Sequence, residues 1–220
     1  MMNKIITLLL LACSVSVFAS DTDGWSLARD KKGIEVYNRK IEGSHFKEFR
    51  AEGDINASLT SIIALFIDTS VGTQWVENID DMEEIEHFSA AHTITKTYTK
   101  APWPVADREA IVENVITQDP KTMVVTIDQH GRPDYLPNNN KKIIRVAELE
   151  ASWILTPIDE NTTHISYRVL SDPGGDIPYW LINMVAVSQP YNTLRGLSKM
   201  LDSGEYTDRR LDFIENYTSL

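Results

Sequence analysis

Five histidines, His45, His87, His92, His130 and His164, are the residues best suited to acid–base or metal chemistry, and they are scattered. No two stand at the i, i+4 spacing that puts paired imidazoles on one helix face, so no zinc site is expected. The nucleophile elbow G-x-S-x-G, the pair H-E-x-x-H and a phosphate-cradling glycine loop are all absent. The acidic run Asp80-Asp81-Met82-Glu83-Glu84 lies at a helix-to-strand junction and reads as a solvated face. The one cysteine is Cys13, inside an N-terminal apolar run, which leaves the rest of the chain without a thiol nucleophile, a disulfide or a thiolate metal site. No metal and no cofactor are expected. If the chain were an enzyme, Arg108, Asn114, Glu148, Glu150 and Tyr167 would be its material.

The elements that must position these groups are strands followed by a helix. Residues 34–37 and 45–53 read as strands. A helix then opens at Leu59 behind a Ser58 cap, with Leu59, Ile62, Ile63, Phe66 and Ile67 on one face. Residues 71–78 suit a short helix carrying Trp75. The period then changes to two over 84–88, 92–99, 109–118, 123–129, 143–155 and 164–170, which predicts a meandering antiparallel sheet. The connection at 130–142, with Gly131, Pro133, Pro137 and three asparagines, is a long loop of the kind that carries function. A helical pattern covers 177–201, with Pro178 in its first turn. Leu181, Met184, Ser188, Tyr191 and Leu194 lie on its stripe, and Pro190 predicts a kink near Ala186 and Val187. Residues 204–220 read as a charged tail with room for a short helix.

Composition bounds the function classes. A chain of 220 residues, 42% hydrophobic and 24% charged, can bury a full core and still wall a cavity. A formal charge of −11 without a basic run excludes nucleic acid as an expected partner. It also gains little from anionic headgroups, so membrane contact should be apolar and transient, and the chain a monomer. Residues 1–19 place Lys4 before an apolar run ending in Val17-Phe18-Ala19, the order of a signal peptide cleaved after Ala19. An exported, periplasmic protein is expected. Secretion is one alternative, and a lipid anchor on Cys13, through the loose box Leu10-Leu11-Ala12-Cys13, is the other.

Two junctions are unusual: Ala101-Pro102-Trp103-Pro104-Val105-Ala106-Asp107-Arg108-Glu109, and Asp172-Pro173-Gly174-Gly175-Asp176-Ile177-Pro178-Tyr179-Trp180-Leu181-Ile182-Asn183. In this order, with a long final helix behind them, they resemble the START lipid-binding domain family, in its bacterial exported form, from about Trp25 to Leu201. The resemblance implies an α+β helix-grip fold over residues 20–203, with a curved antiparallel sheet wrapped around a long C-terminal helix and a tunnel between them for one lipid.

On that pattern the tunnel walls would be Thr97, Val112, Asn114, Ala147, Leu149 and Trp153 from the strands, with Leu181, Met184, Ser188 and Tyr191 from the helix. The loop 130–142 would be the lid, with Pro133, Tyr135 and Leu136 as its apolar underside. Arg108 would either face a headgroup or pair with Asp107, Asp172 or Asp176 to tie loop to helix; the second reading is favoured because the family keeps this arginine across differing ligands. In choline-binding relatives the caging aromatics fall here on Thr97, Val112 and Val169 or Arg168, which have no rings for a cation–π cage. In sterol-binding relatives the inward acid and arginine correspond to Thr97 and Asn114. The expectation is non-catalytic binding and transfer of one lipid or other hydrophobic ligand, which keeps its chains from water at about 0.8 kcal/mol per CH₂. The alternative is a helix-grip enzyme of cyclase or hydrolase type acting on a small hydrophobic substrate.

Overall fold

Strands of period two fold here into one sheet because most of them have an apolar face to bury. The computed structural model describes residues 24–177, 182, 187–207 and 209–218. The expected signal peptide with Cys13, and the helix residues Leu181 and Met184, lie outside them. In chain order the strands are β1 (Ser26–Lys31), β2 (Ile34–Lys40), β3 (Lys47–Ile55), β4 (Asp81–Ser89), β5 (His92–Thr99), β6 (Asp107–Gln118), β7 (Val125–Gly131), β8 (Ile143–Arg145), β9 (Glu148–Pro157) and β10 (Thr163–Asp172). The helices are α1 (Leu59–Ile67), α2 (Gly72–Trp75) and α3 (Ser188–Leu201). The sheet order is β1-β2-β3-β10-β9-β7-β6-β5-β4, and all neighbours on this path are antiparallel. With α1 and α3 packed on its inner face, this is the α+β helix-grip arrangement.

The core shows why the helices sit there. Val36, Ala51, Ile165 and Leu155 from the sheet meet Ile62 and Ile63 of α1 and Leu194 and Leu197 of α3, all at or near complete burial. Each such Leu or Ile contributes about 1.5–3 kcal/mol by leaving water. Gly196 allows α3 to press on α2, because a Cβ there would lie 2.4 Å from the Trp75 carbonyl oxygen. Thr193 Oγ1 accepts from the Glu77 amide at 3.1 Å, and Asn192 Nδ2 donates to Glu77 Oε1 at 3.0 Å, so α3 also holds the chain just after α2.

Four expectations change. The stretch 143–155 is two strands: β8 runs parallel to β6, and the chain changes partner between Val146, whose amide donates to Glu109, and Ala147, whose amide donates to Asp172. β1 was not expected, since an exposed edge strand with a bulge between Leu27 and Arg29 leaves no alternation to read. The expected kink is a break at the expected place: Ile182 is helical, Val187 stands in a turn, and α3 begins at Ser188 with Pro190 in its first turn, where the missing N–H has no helical acceptor to lose; Ala186 lies outside the described residues. The tail folds onto the domain: Tyr206 and Ile214 are buried, and residues 209–218 form no helix. It caps α1, because Asn216 Oδ1 accepts from the Thr60 amide at 3.0 Å beside the Ser58 cap on Ser61 at 3.3 Å.

Candidate functional site

Inner-face positions that the helices do not fill leave a cavity of about 140 Å³ between β5, β6, β7, β9 and β10 on one side and α1, α2 and α3 on the other. Of the residues expected to wall it, Thr97, Val112, Asn114, Leu149 and Trp153 do. Ala147, Ser188 and Tyr191 are not among its described lining, and Leu181 and Met184 lie outside the described residues. On α3 the lining side chains are Gln189 and Thr193, four residues apart. The most apolar stripe, with Tyr191, Leu194 and Leu197, faces the core under β2 and β3, and the cavity lies on the flank of that stripe.

The expected lid lies elsewhere. Pro133, Tyr135 and Leu136 do not line the cavity, and Tyr135 and Leu136 are each more than a third exposed. Thr93, Thr95 and Thr97 of β5, and Val112 and Asn114 of β6, point into the cavity, so their neighbours Ile94 and Glu113 point out. Arg132 pairs with Glu113, and the Tyr135 hydroxyl donates to Glu86 at 3.3 Å. The loop therefore crosses the outer face of β4 to β6. Arg145 Nη1 fixes it there by donating to the carbonyls of Pro133 at 2.6 Å and Leu136 at 3.1 Å.

Arg108 is 6% exposed and is not among the cavity's described lining. Its guanidinium donates to the carbonyls of Ala106 and Gly174, the latter at 3.0 Å, and reaches that of Pro173 at 3.5 Å. It thus ties the loop before β6 to the turn before the final helical region, as the favoured reading had it, but through backbone carbonyls in place of carboxylates. The carbonyls of Pro173 and Gly174 are presented by a turn with Gly174 and Gly175 at φ of +67° and +64°, which glycine adopts without strain. Burial lowers the guanidinium pKa, opposed by Asp107.

Inside the cavity the polar groups form a chain across four strands. Trp153 Nε1 donates to Gln129 Oε1 at 3.0 Å; Gln129 Nε2 donates to Asn114 Oδ1 at 2.8 Å; Asn114 Nδ2 donates to Thr95 Oγ1 at 3.1 Å. An indole N–H only donates, so the direction of every later bond is set. The Trp153 ring stacks on Tyr167 at 3.9 Å between centroids, and Phe66 and Trp75 meet Trp153 edge-on at 5.8 and 6.1 Å. Burial pushes the Tyr167 hydroxyl up to about 12, so it stays neutral. The sequence reading places Phe66 and Trp75 on helices but does not give them, or Gln129 and Gln189, as cavity residues. Thr95 shares parity with Thr97 two residues on, which was the available signal.

Among the described residues no group of three or more His, Cys, Asp or Glu side chains is placed to hold a metal ion. Comparisons with known proteins agree with the architecture. The START domain family model matches residues 10–205. An uncharacterized protein of Pseudomonas aeruginosa is 34% identical over 89% of this chain and 96% of its own. The mouse phosphatidylcholine transfer protein is 22% identical over 80% of this chain and 82% of its own. Among solved structures, a STAR-related lipid transfer protein of Xanthomonas axonopodis superposes with a TM-score of 0.75 at 32% identity, covering 82% of this chain and 99% of that one.

Proposed function

The chain belongs to the START domain family, which binds lipids and other hydrophobic ligands, and from that premise we propose that it takes up one lipid-like molecule in the cavity and carries or presents it without chemistry. The observation that carries this reading is the cavity itself, enclosed between sheet and helices, walled largely by apolar and aromatic side chains. Its described lining has one carboxylate, Glu84, and no His, Lys, Arg or Asp. Glu84 is paired with His87 and the Tyr167 hydroxyl is kept neutral by burial, so the described lining presents no group poised for acid–base work, which favours a carrier over a cyclase or hydrolase.

At about 140 Å³ the space matches a cavity that takes a benzene ring. Drug-sized ligands need about 300 Å³ or more. On this reading a long acyl chain would need the walls to separate. Contact with a membrane would be brief and apolar. Among the described residues no helix is long and apolar enough to cross a membrane, and the proposed compartment, from the N-terminal apolar run, is the periplasm. The protein would act as a monomer, without nucleic acid. The test is native mass spectrometry of the protein purified from its own cells, followed by organic extraction. A stoichiometric lipid supports the proposal. Protein that is empty, and stays empty after incubation with mixed-lipid vesicles, overturns it.

A further inference from the structure

The polar chain in the cavity ends on donors. Trp153 fixes Gln129, Gln129 fixes Asn114, and Asn114 donates to Thr95 Oγ1, so the Thr95 hydroxyl has accepted a bond and keeps its own hydrogen to give. No acceptor for that hydrogen is found among the described residues. A second donor belongs to a residue of the same wall: Trp75 lines the cavity and is 5% exposed, and its Nε1–H, sealed from water, has no hydrogen-bond partner among the described residues. A buried donor left unpaired is costly, and native proteins rarely keep one without a use.

Charge narrows what fills the space. The described lining has no cationic side chain, so a phosphate or carboxylate held there would be buried without a counter-charge. The one anion, Glu84, is about a third exposed at its side chain and bonded to His87 at 2.9 Å, so it is not a buried partner for a cation. The aromatic faces are not open either, because Trp153 is stacked on Tyr167 and met edge-on by Phe66 and Trp75.

We propose that the cavity selects an uncharged hydrophobic molecule bearing an acceptor oxygen, of the ester, ketone or ether kind, which takes the free hydrogens of Thr95 and Trp75 while its hydrocarbon lies against Val112, Ile116 and Leu149. This rests on the carrier reading above. It adds that recognition is by neutral donors and that anionic headgroups stay outside.

The test uses three probes of matched chain, decane, methyl decanoate and decanoate, titrated into the delipidated full chain at pH 8 and read by native mass spectrometry. Methyl decanoate should bind tighter than decane by about threefold to tenfold per donor engaged, and decanoate should bind no tighter than decane. Thr95→Val and Trp75→Phe, each keeping most of its side chain's volume, should each lower the ratio of ester to decane affinity measured on the same variant. If one variant fails to fold, the other reads the same quantity. Equal affinity for ester and alkane, a preference that survives both substitutions, or tightest binding of decanoate would overturn the inference while leaving the carrier reading standing. Retention of none of the three would overturn both.

Discussion

Arg108 shows what a single side chain does in this molecule. Its parity on β6 was legible in the sequence, and so was the idea that it ties the loop before the strand to the start of the final helical region. Its partners were not legible, because a carbonyl becomes an acceptor only once Gly174 and Gly175 have turned the backbone toward it. Arg108→Leu takes the donor from the partly buried carbonyls of Ala106 and Gly174, so urea unfolding should show a loss of about 1–3 kcal/mol. Arg108→Lys should lose less, since an ammonium still donates but lacks the planar fork. Neither change should move the affinity for methyl decanoate, because the guanidinium does not line the cavity. A large drop in that affinity in a still-folded Arg108→Lys protein would return the residue to the headgroup role that the sequence left open. The cavity residues were half legible for a related reason. Alternation shows which side chains face inward, but an inward position is core or cavity according to whether a helix side chain reaches it.

At the scale of elements, α1 and the body of α3 were readable because an apolar stripe at helical spacing is a strong local signal. The docked tail was unreadable because its charged residues conceal two anchors, Tyr206 and Ile214, and a cap, Asn216, that act on distant parts of the chain. Asn216→Ala should cost about 1 kcal/mol, measured by thermal or urea unfolding, since Ser58 still serves one of the amides at the α1 terminus. Gly196→Ala sets two effects against each other. Alanine favours a helix interior over glycine by about 1 kcal/mol, but the added Cβ would lie 2.4 Å from the Trp75 carbonyl and 3.0 Å from its Cα, and backbone cannot give way cheaply. The clash wins: the variant should be less stable than wild type, with a shifted tryptophan emission. Asp68 supplies a pH dependence. Hydrogen bonds from Ser70 and then Tyr206 hold its carboxyl below the ordinary range, while burial opposes them. A depressed carboxylate contributes stability that is present above its unfolded pKa of about 4 and is lost as pH falls through the lower folded value. Stability should therefore fall below about pH 4, and Asp68→Asn should show a shallower acid limb in urea titrations.

At the scale of the whole molecule, an acidic chain holds out one apolar side chain further than any other among the described residues. Trp103 is 92% exposed, far more than any other large hydrophobic residue described. The loop that carries it is pinned, because the Ala101 amide donates to Asp107 at 2.9 Å, Val105 to the Pro102 carbonyl at 3.0 Å, and Arg108 holds Ala106 from behind. The Pro-x-Pro signature announced this loop in the sequence, but only the fold shows that its tryptophan is left almost wholly exposed. An indole on a fixed loop suits the polar–apolar boundary of a bilayer. With a net charge of −11, attraction to anionic lipid cannot be what brings the protein there. Vesicle encounter should accordingly depend on Trp103 and hardly on the fraction of anionic lipid. Trp103→Ser should slow lipid exchange between vesicles several-fold, leave binding of a soluble probe such as methyl decanoate unchanged, and shift unfolding by no more than about 0.5 kcal/mol, as for other exposed positions. Exchange that proceeds at the wild-type rate in the variant, or that rises with anionic lipid in both proteins, would move the membrane contact to another surface and leave the cavity argument intact.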